Sequence, residues 1–226
     1  MKNAIKIKLI AIIGIVAIVG FAMAGCGNPS GGGGGGSGSI GDSVNLQNQT
    51  VSYGSLSGAK LTAAKTRTNF GYVYDWDNDV TVALTTLITG TPRVQINDGK
   101  LAIELDEPKS EKLETLTDVI PAGGASIIPA DTKAFQAEEF FTSDGNYSVY
   151  LRKSDTEFAV LIYADRNGTV TGSSPAGDGW TNIWPSCSFT KGWNFALLKH
   201  NEVSKTTTIT VTTTLPRGYT WTVAEY

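Results

Sequence analysis

The sequence predicts an all-β domain, either an antiparallel β-sandwich or a barrel-like meander, with one short helix. Apolar and polar residues alternate with the two-residue period of a strand in residues 101–105 and 147–151. Residues 206–214 alternate Ile209 and Val211 with threonines, whose β-branched side chains suit a pleated sheet. Asn-Gly and Asp-Gly pairs, which adopt positive φ easily and favour hairpins, separate such runs at short intervals.

The helix is predicted over residues 108–116. Pro108 suits the first turn of a helix, and Leu113 and Leu116 would share one face. Residues 134–141 are a second candidate for a short turn of helix. All other ordered segments are predicted as strands.

Tight turns set the order of the later strands. Hairpin turns are predicted at Asp98-Gly99, Asp144-Gly145 and Asn167-Gly168. Between the last two turns, residues 158–163 are apolar on both faces, so this strand is predicted at the centre of a sheet. Residues 182–226 predict an antiparallel meander.

The N-terminus carries an export signal. Lys2, Lys6 and Lys8 precede an unbroken apolar run of sixteen residues, 9–24. This run is shorter than the roughly 18–20 residues needed to cross a hydrocarbon core. A cleaved signal peptide is therefore predicted over residues 1–25, and an uncleaved membrane anchor is the alternative.

Met23-Ala24-Gly25-Cys26 resembles the lipobox of bacterial lipoproteins, with methionine where that family usually has leucine. The resemblance implies that Cys26 becomes the acylated first residue, with palmitate among its chains, in the cell membrane or outer membrane, facing the periplasm or the cell exterior. Residues 26–39 contain six consecutive glycines and predict a flexible tether. Residues 40–226 are the predicted β-rich extracytoplasmic domain, with a candidate subdivision at the Pro- and Gly-containing segment 118–131.

A second resemblance lies in residues 99–108, 159–165 and 191–194. These stretches resemble segments of small uncharacterised β-rich lipoproteins of treponeme-type spirochaetes, in which a strand ending in Tyr-x-Asp precedes a hairpin and Lys-Gly-Trp-Asn. The resemblance implies an exported β fold and no assigned reaction. The residues of Lys-Gly-Trp-Asn themselves predict a tight turn at the glycine, a core anchor at the tryptophan and backbone hydrogen bonds from the asparagine.

Composition argues against several classes of function. Without the three lysines of the signal, the formal net charge changes from −3 to −6, and the basic residues form no run. Nucleic acid and anionic lipid surfaces are therefore not expected as electrostatic partners. Cys187 is the single thiol after Cys26, so we expect a buried apolar cysteine and no disulfide framework. No cofactor is expected.

The sequence contains no recognisable catalytic constellation. His200 is the only histidine, and no Gly-x-Ser-x-Gly elbow accompanies it, so an exposed turn histidine is expected. Zinc sites draw on several His or Cys ligands, which this chain lacks. Glycosidases need two facing carboxylates about 5–9.5 Å apart. The chain has enough acidic residues for such a pair, among them Glu138, Glu139, Asp155 and Asp178, but the sequence does not place any two of them face to face. We therefore expect a protein that is not an enzyme.

The acidic turn before Val80 is the candidate metal site. Asp75, Asp77 and Asp79 supply carboxylate oxygens, the ligands that Ca²⁺ prefers. The spacing resembles the start of an EF-hand loop, but Val80 replaces the turn glycine and Thr86 replaces the bidentate glutamate. We expect an acidic turn with weak calcium binding or none.

Aromatic residues are the candidate ligand contacts. Tyr72, Tyr74 and Trp76 lie beside the acidic turn, and Trp180 and Trp184 lie in a segment rich in Gly, Ser and Pro. Exposed aromatics stack on sugar rings or line protein interfaces. The alternative is packing, with Trp184 at an end of the core and Trp180 beneath its own loop. The sequence thus predicts a non-enzymatic structural, adhesive or interaction module with a protein or glycan partner. The alternative is a carbohydrate-binding or carbohydrate-active accessory protein.

Overall fold

The computed structural model describes residues 37–54, 56–75, 80–120 and 123–225. The all-β prediction is confirmed: the strands form one large, mixed, mostly antiparallel sheet that is not closed. The strands are, in chain order, β1 (Ser37–Ile40), β2 (Val44–Ser52), β3 (Arg67–Asn69), β4 (Tyr72–Asp75), β5 (Val80–Ala83), β6 (Arg93–Asn97), β7 (Lys100–Leu105), β8 (Glu114–Thr115), β9 (Ser126–Ile128), β10 (Lys133–Ala137), β11 (Glu139–Phe141), β12 (Tyr147–Arg152), β13 (Glu157–Ala164), β14 (Gly168–Pro175), β15 (Thr181–Phe189), β16 (Gly192–Asn201), β17 (Thr206–Thr212) and β18 (Thr220–Glu225).

Helices in the described residues are short, and the longest lies outside the predicted segment. They are α1 (Gly58–Thr66), α2 (Leu84–Leu87), α3 (Leu116–Val119) and a 3-10 turn at Ser110–Lys112. The predicted helix at residues 108–116 is therefore reduced to the 3-10 turn followed by β8. The candidate helix at residues 134–141 is wrong, because these residues form β10 and β11. In α1 only Ala64 is fully buried, so the sequence offers no amphipathic pattern there.

Five strands form one part of the sheet, in the order β1–β2–β7–β6–β3. The predicted hairpin between β6 and β7 is present, and Asp98 (φ 47°) and Gly99 (φ 73°) both have the positive φ of a type I′ turn. Strand β1, Ser37–Ile40, overlaps the last residues of the predicted tether 26–39. The inward side chains of this part, such as Ile96 and Ile103, are completely buried.

These inward side chains pack against one face of the remaining strands and form a first core. From the five-stranded part it includes Val94, Ile96, Leu101 and Ile103, and from the facing strands Phe140, Val149, Leu161, Trp193, Phe195 and Val223. Apolar surface removed from water stabilises a fold by roughly 25 cal/mol per Å², so this contact contributes to the stability of the domain.

Strand β13 lies at the centre of the sheet and carries side chains into apolar surroundings on both faces. It pairs with β16 along one edge and with β10 and β12 along the other. Ala159, Leu161 and Tyr163 belong to the first core, whereas Val160 and Ile162 pack against a second. The central position predicted for residues 158–163 is confirmed.

The second core lies on the opposite face of β13, β16 and β17. It is covered by β14, β15 and α3, and its buried members include Leu116, Trp184, Phe189, Leu198 and Ile209. The two cores share β13 and β16, so each of these strands has apolar neighbours above and below. Such strands read as continuous apolar runs in the sequence.

The predicted meander of residues 182–226 is only partly formed. Strands β16 and β17 pair antiparallel, but β15 pairs in parallel with β17, and β18 pairs with β12 and β2. Strand β16 cannot pair with β15, because its two edges are already occupied by β13 and β17. Long-range pairing of this kind has no local signal in the sequence.

The turn between β15 and β16 agrees with the prediction made from Lys-Gly-Trp-Asn. Gly192 has φ +95°, a conformation that favours glycine. Trp193 is completely buried, and its Nε1 donates a hydrogen bond to the carbonyl oxygen of Asp106 at 3.1 Å. The Oδ1 of Asn194 accepts from the backbone N–H of Thr190 at 3.1 Å, and its Nδ2 donates to the carbonyl oxygens of Thr190 and Gly192 at 2.9 Å.

Candidate functional site

Several predicted site residues lie outside the described residues. These are the lipidation site Cys26, the candidate contact residue Trp76 and the weak metal candidates Asp77 and Asp79. Asp75 ends β4, but its side chain is likewise outside the description. The acidic turn and the acylated cysteine therefore stay predictions.

The two tryptophans of the 172–185 segment have different environments. Trp184 is 7% exposed and belongs to the second core, as the packing alternative expects. Trp180 is half-buried, and its ring lies edge-on to that of His200 with the centroids 5.6 Å apart. Only Trp180 is placed to touch a ligand at the surface.

Tyr72 and Tyr74 lie on β4 and are both half-buried. Strand β4 pairs with β11 through Val73, which points into the first core. Tyr74 therefore points to the opposite face, where its ring lies 6.2 Å from that of Phe141. Five strands, β11, β12, β13, β16 and β17, separate β4 from β15 in the hydrogen-bonded order, so the two predicted contact segments are not neighbours.

The strand registers nevertheless align side chains between them on the face opposite the first core: Tyr74 lies one position beyond the Val73–Phe140 pair, in line with Glu139 and its register partner Tyr150. Arg152 lies 5.8 Å from the ring centroid of Tyr150 and pairs in register with Phe158 on β13. Phe158 lies 5.5 Å from the ring of His200, which in turn contacts Trp180. We call Tyr74, Tyr150, Arg152, Phe158, His200 and Trp180 the aromatic band. All of its members except His200 are half-buried.

Two adjacent glutamates lie beside the band at an irregularity between β10 and β11. Ala137 pairs with Leu161 of β13, whereas Glu139 already pairs with Tyr150 of β12, so the chain changes partner at Glu138. Extra residues of this kind bend a strand and redirect its side chains. Because Ala137 points into the first core, Glu138 points to the face of the band.

Burial controls the protonation of this pair. Burial, together with the nearby charge of Glu139, raises the pKa of Glu138 to about 8, although a hydrogen bond from the Nε2 of Gln136 opposes the shift. Burial also raises the pKa of Glu139, against a hydrogen bond donated by Ser148. Glu138 is therefore largely protonated at neutral pH and can donate a hydrogen bond, while Glu139 offers a carboxyl oxygen next to it.

The other acidic candidates do not complete a catalytic pair with these glutamates. Asp155 is exposed and forms a 3.5 Å ion pair with Arg152, and Asp178 is exposed in the hairpin between β14 and β15. Within the described residues, no group of three or more His, Cys, Asp or Glu side chains could hold a metal ion. The arrangement can bind polar groups through Glu138 and Glu139 and planar groups through its rings.

His200 is not the exposed turn residue that we expect from the sequence. It is 7% exposed, its Nδ1 lies 2.8 Å from the Oγ1 of Thr207, and burial lowers the pKa of its imidazole. The correction follows from β16, which extends to Asn201 and carries His200 under the ring of Trp180. The imidazole of His200 is therefore a neutral ring packed between strands.

Cys187 has the buried position predicted for it. It is 1% exposed, and its Sγ donates a hydrogen bond to the carbonyl oxygen of Ile209 at 2.8 Å. Burial raises the pKa of the thiol, which keeps it protonated. This environment is that of an inert structural cysteine.

Three members of the site are not among the candidate residues predicted from the sequence: Tyr150, Arg152 and Phe158. A signal for two of them is present, because Ser148, Tyr150 and Arg152 alternate with the core residues of β12 and so share one face. Phe158 joins that face through the register of the β12–β13 pair, in which it lies opposite Arg152.

Comparison with known proteins adds no family to this description. No family model, no curated protein and no solved structure matches the chain. In the described part of the chain, no helix is long and apolar enough to cross a membrane. The interpretation therefore depends on the geometry of the aromatic band and on the N-terminal sequence.

Proposed function

We propose that the protein is a bacterial lipoprotein, anchored through an acylated Cys26 and carrying a non-enzymatic interaction module outside the cytoplasm. The support for the anchor is the sequence Met23-Ala24-Gly25-Cys26 after a charged and apolar leader. Six glycines follow, a composition that predicts a flexible tether between the anchor and the domain. Three acyl chains, as the lipobox family carries, would hold such a domain at a membrane without a spanning helix.

The aromatic band supports the interaction role and is the observation on which the proposal depends. Half-buried Tyr150, Phe158 and Trp180 present ring surface on a face that the five-stranded part of the sheet does not cover. Aromatic and arginine side chains are the residue types that dominate contact energies at protein interfaces. Arg152 lies among the rings, so the band combines apolar area with a fixed positive charge.

Carbohydrate binding is the second candidate function, and Glu138 and Glu139 favour it. Sugar rings stack on aromatic side chains, and their hydroxyl groups need both donors and acceptors at the rim of the stacking surface. A largely protonated Glu138 and its neighbour Glu139 supply both, next to Tyr150.

A glycan and matrix-protein array tests the proposal, with the full-length lipoprotein in detergent. We expect binding to at least one class of partner, and a loss of about tenfold or more in Trp180→Ala and Tyr150→Ala, in keeping with the usual cost of truncating a contact aromatic. Thr210→Ala, at an exposed position of β17, is the matched control and should bind as the parent does. If a partner binds equally well to both aromatic variants, the band is not the contact surface.

Sugars also separate the two candidates directly. A carbohydrate-binding band should show saturable quenching of tryptophan fluorescence by the bound sugar, and Trp180→Phe should remove most of it. If the protein binds matrix proteins on the array and no sugar quenches its tryptophan fluorescence, the interaction module is supported and carbohydrate binding is rejected.

A further inference from the structure

Four neighbouring strands carry a row of buried polar side chains on the face of the second core. Ser174, Asn182 and Thr207 are register partners across β14, β15 and β17, and Thr207 pairs with His200 of β16. Each of the four is 7% exposed or less. The inner face of a sheet is normally apolar, so a polar row in this position needs an explanation.

The polar side chains at one end of the row have hydrogen-bond partners, and those at the other end do not. The Oγ1 of Thr207 and the Nδ1 of His200 are 2.8 Å apart. By contrast, the Oγ of Ser174, both amide atoms of Asn182 and the Nε1 of Trp184 are buried without a hydrogen-bond partner among the described residues. An unpaired buried polar atom is costly, and four of them on two adjacent strands form one unsatisfied group.

One of the residues that carry these orphan atoms, Trp184, lines an apolar cleft. Trp184, two positions after Asn182 on the same face, lines the cleft together with Leu116, Ile162, Leu198 and Ile209. Its free volume is about 50 Å³. Since one water needs about 10–15 Å³ on this measure, the cleft has room for a chain of roughly three to five heavy atoms.

We propose that this end of the second core binds a small neutral amphiphile. An amide or hydroxyl group of the ligand pairs with Asn182, Ser174 and the Nε1 of Trp184, and its short alkyl part fills the cleft. Asn182 and Ser174 each donate and accept, which matches a group that does both. Neither the orphan atoms nor the residues that line the cleft include a charged side chain, so a charged head group would be buried without a counter-charge. This site is distinct from the aromatic band and does not depend on the proposed function.

The test uses the full-length lipoprotein in phosphatidylcholine nanodiscs with ¹⁵N-labelled indoles. The probes are butyramide, butan-1-ol, butyrate and butylammonium, which share a chain length and differ in charge. The two neutral probes should shift one indole resonance saturably, and Trp184→Phe should remove that resonance. Equal shifts with butyrate and butylammonium would overturn the proposal. The absence of a saturable shift with any of the four probes would also overturn it. If, in that case, the Trp184 indole showed a contact with water, the orphan atoms would bind ordered water only.

Three variants keep the test specific. Asn182→Leu removes both orphan amide atoms at similar volume and should weaken butyramide binding by roughly tenfold, the usual worth of a lost hydrogen-bond pair. Ser174→Ala, which removes a single hydroxyl, should weaken it less and serves if Asn182→Leu does not fold. Ser186→Ala, on the exposed opposite face of β15, is the control and should bind normally. Unchanged binding in both Asn182→Leu and Ser174→Ala would overturn the assignment.

Discussion

Replacing Gly192 by valine should strongly destabilise the domain, for two separable reasons. Gly192 has φ +95°, where a side chain is strained by about 1–3 kcal/mol. A Cβ there would also lie 2.4 Å from the carbonyl oxygen of Gly41 and 2.7 Å from its carbonyl carbon. Both are backbone atoms, and the same carbonyl accepts a 2.6 Å hydrogen bond from the backbone N–H of Trp193. Moving this segment aside adds about 1–3 kcal/mol.

The sum is roughly 2–6 kcal/mol, a large part of the 5–15 kcal/mol that stabilises an ordinary domain. For a chain of this size, 1 kcal/mol lowers the melting temperature by about 2–4 °C, so we expect a decrease of roughly 5–20 °C. Differential scanning fluorimetry of the full-length protein measures this decrease in melting temperature. The result isolates backbone geometry, because Gly192 has no side chain to lose.

Gly145→Val is the matched control. Gly145 also has positive φ, +70°, but an added Cβ would have no heavy atom within 4 Å. The Gly145→Val protein should therefore be destabilised only by the backbone strain of about 1–3 kcal/mol. A Gly192→Val protein that melts within a degree of the parent, or no lower than Gly145→Val, would refute the close approach of β16 to Gly41.

Three further predictions concern protonation, lipidation and calcium. The pKa of Glu138 is raised from 4.5 to about 8, so between these pH values the native state holds a proton that the unfolded state releases. The free energy of unfolding should therefore fall as the pH rises from 5 to 8, by at most about 1.4 kcal/mol per pH unit. Denaturant unfolding should show this slope flattened in Glu138→Gln, and an unchanged slope would contradict the burial of Glu138. Cys26→Ser should give an unprocessed precursor without incorporated palmitate, whereas normal processing and membrane retention would argue against the lipoprotein assignment. Ca²⁺ at 1 mM should leave the melting temperature almost unchanged, since even a millimolar Kd adds only about 0.4 kcal/mol; a rise of several degrees that Asp77→Ala abolishes would establish a metal site.

Local signals predict the parts of the fold that depend on one strand or one turn. The apolar run at residues 158–163 correctly indicates a central strand, since only burial on both faces tolerates it. The roles of Gly192, Trp193 and Asn194 also follow from their residue types. Each of these predictions needs no knowledge of a distant partner.

The errors come from pairing between distant segments. Residues 134–141 resemble a helical turn, but β10 and β11 are extended because they fill edges of β13 and β12. His200 follows the same rule, because its burial depends on the rings of Phe158 and Trp180. The candidate site shows this most clearly, since Trp180 and Tyr74 are 106 positions apart in the sequence and are connected only by the side chains of intervening strands.

The position of strand β18 in the sheet affects the order in which the domain folds. Strand β18 lies between β12 and β2, and its parallel contact with β2, at Val51 and Ser52, connects the five-stranded part with the central strands. A polypeptide emerging from its N-terminus therefore lacks this connection until residues 220–225 are available, and the first core cannot close around Trp221 and Val223 before then. For a chain that is exported as we propose, synthesis from the N-terminus would leave the domain incomplete during passage and let it close at its destination.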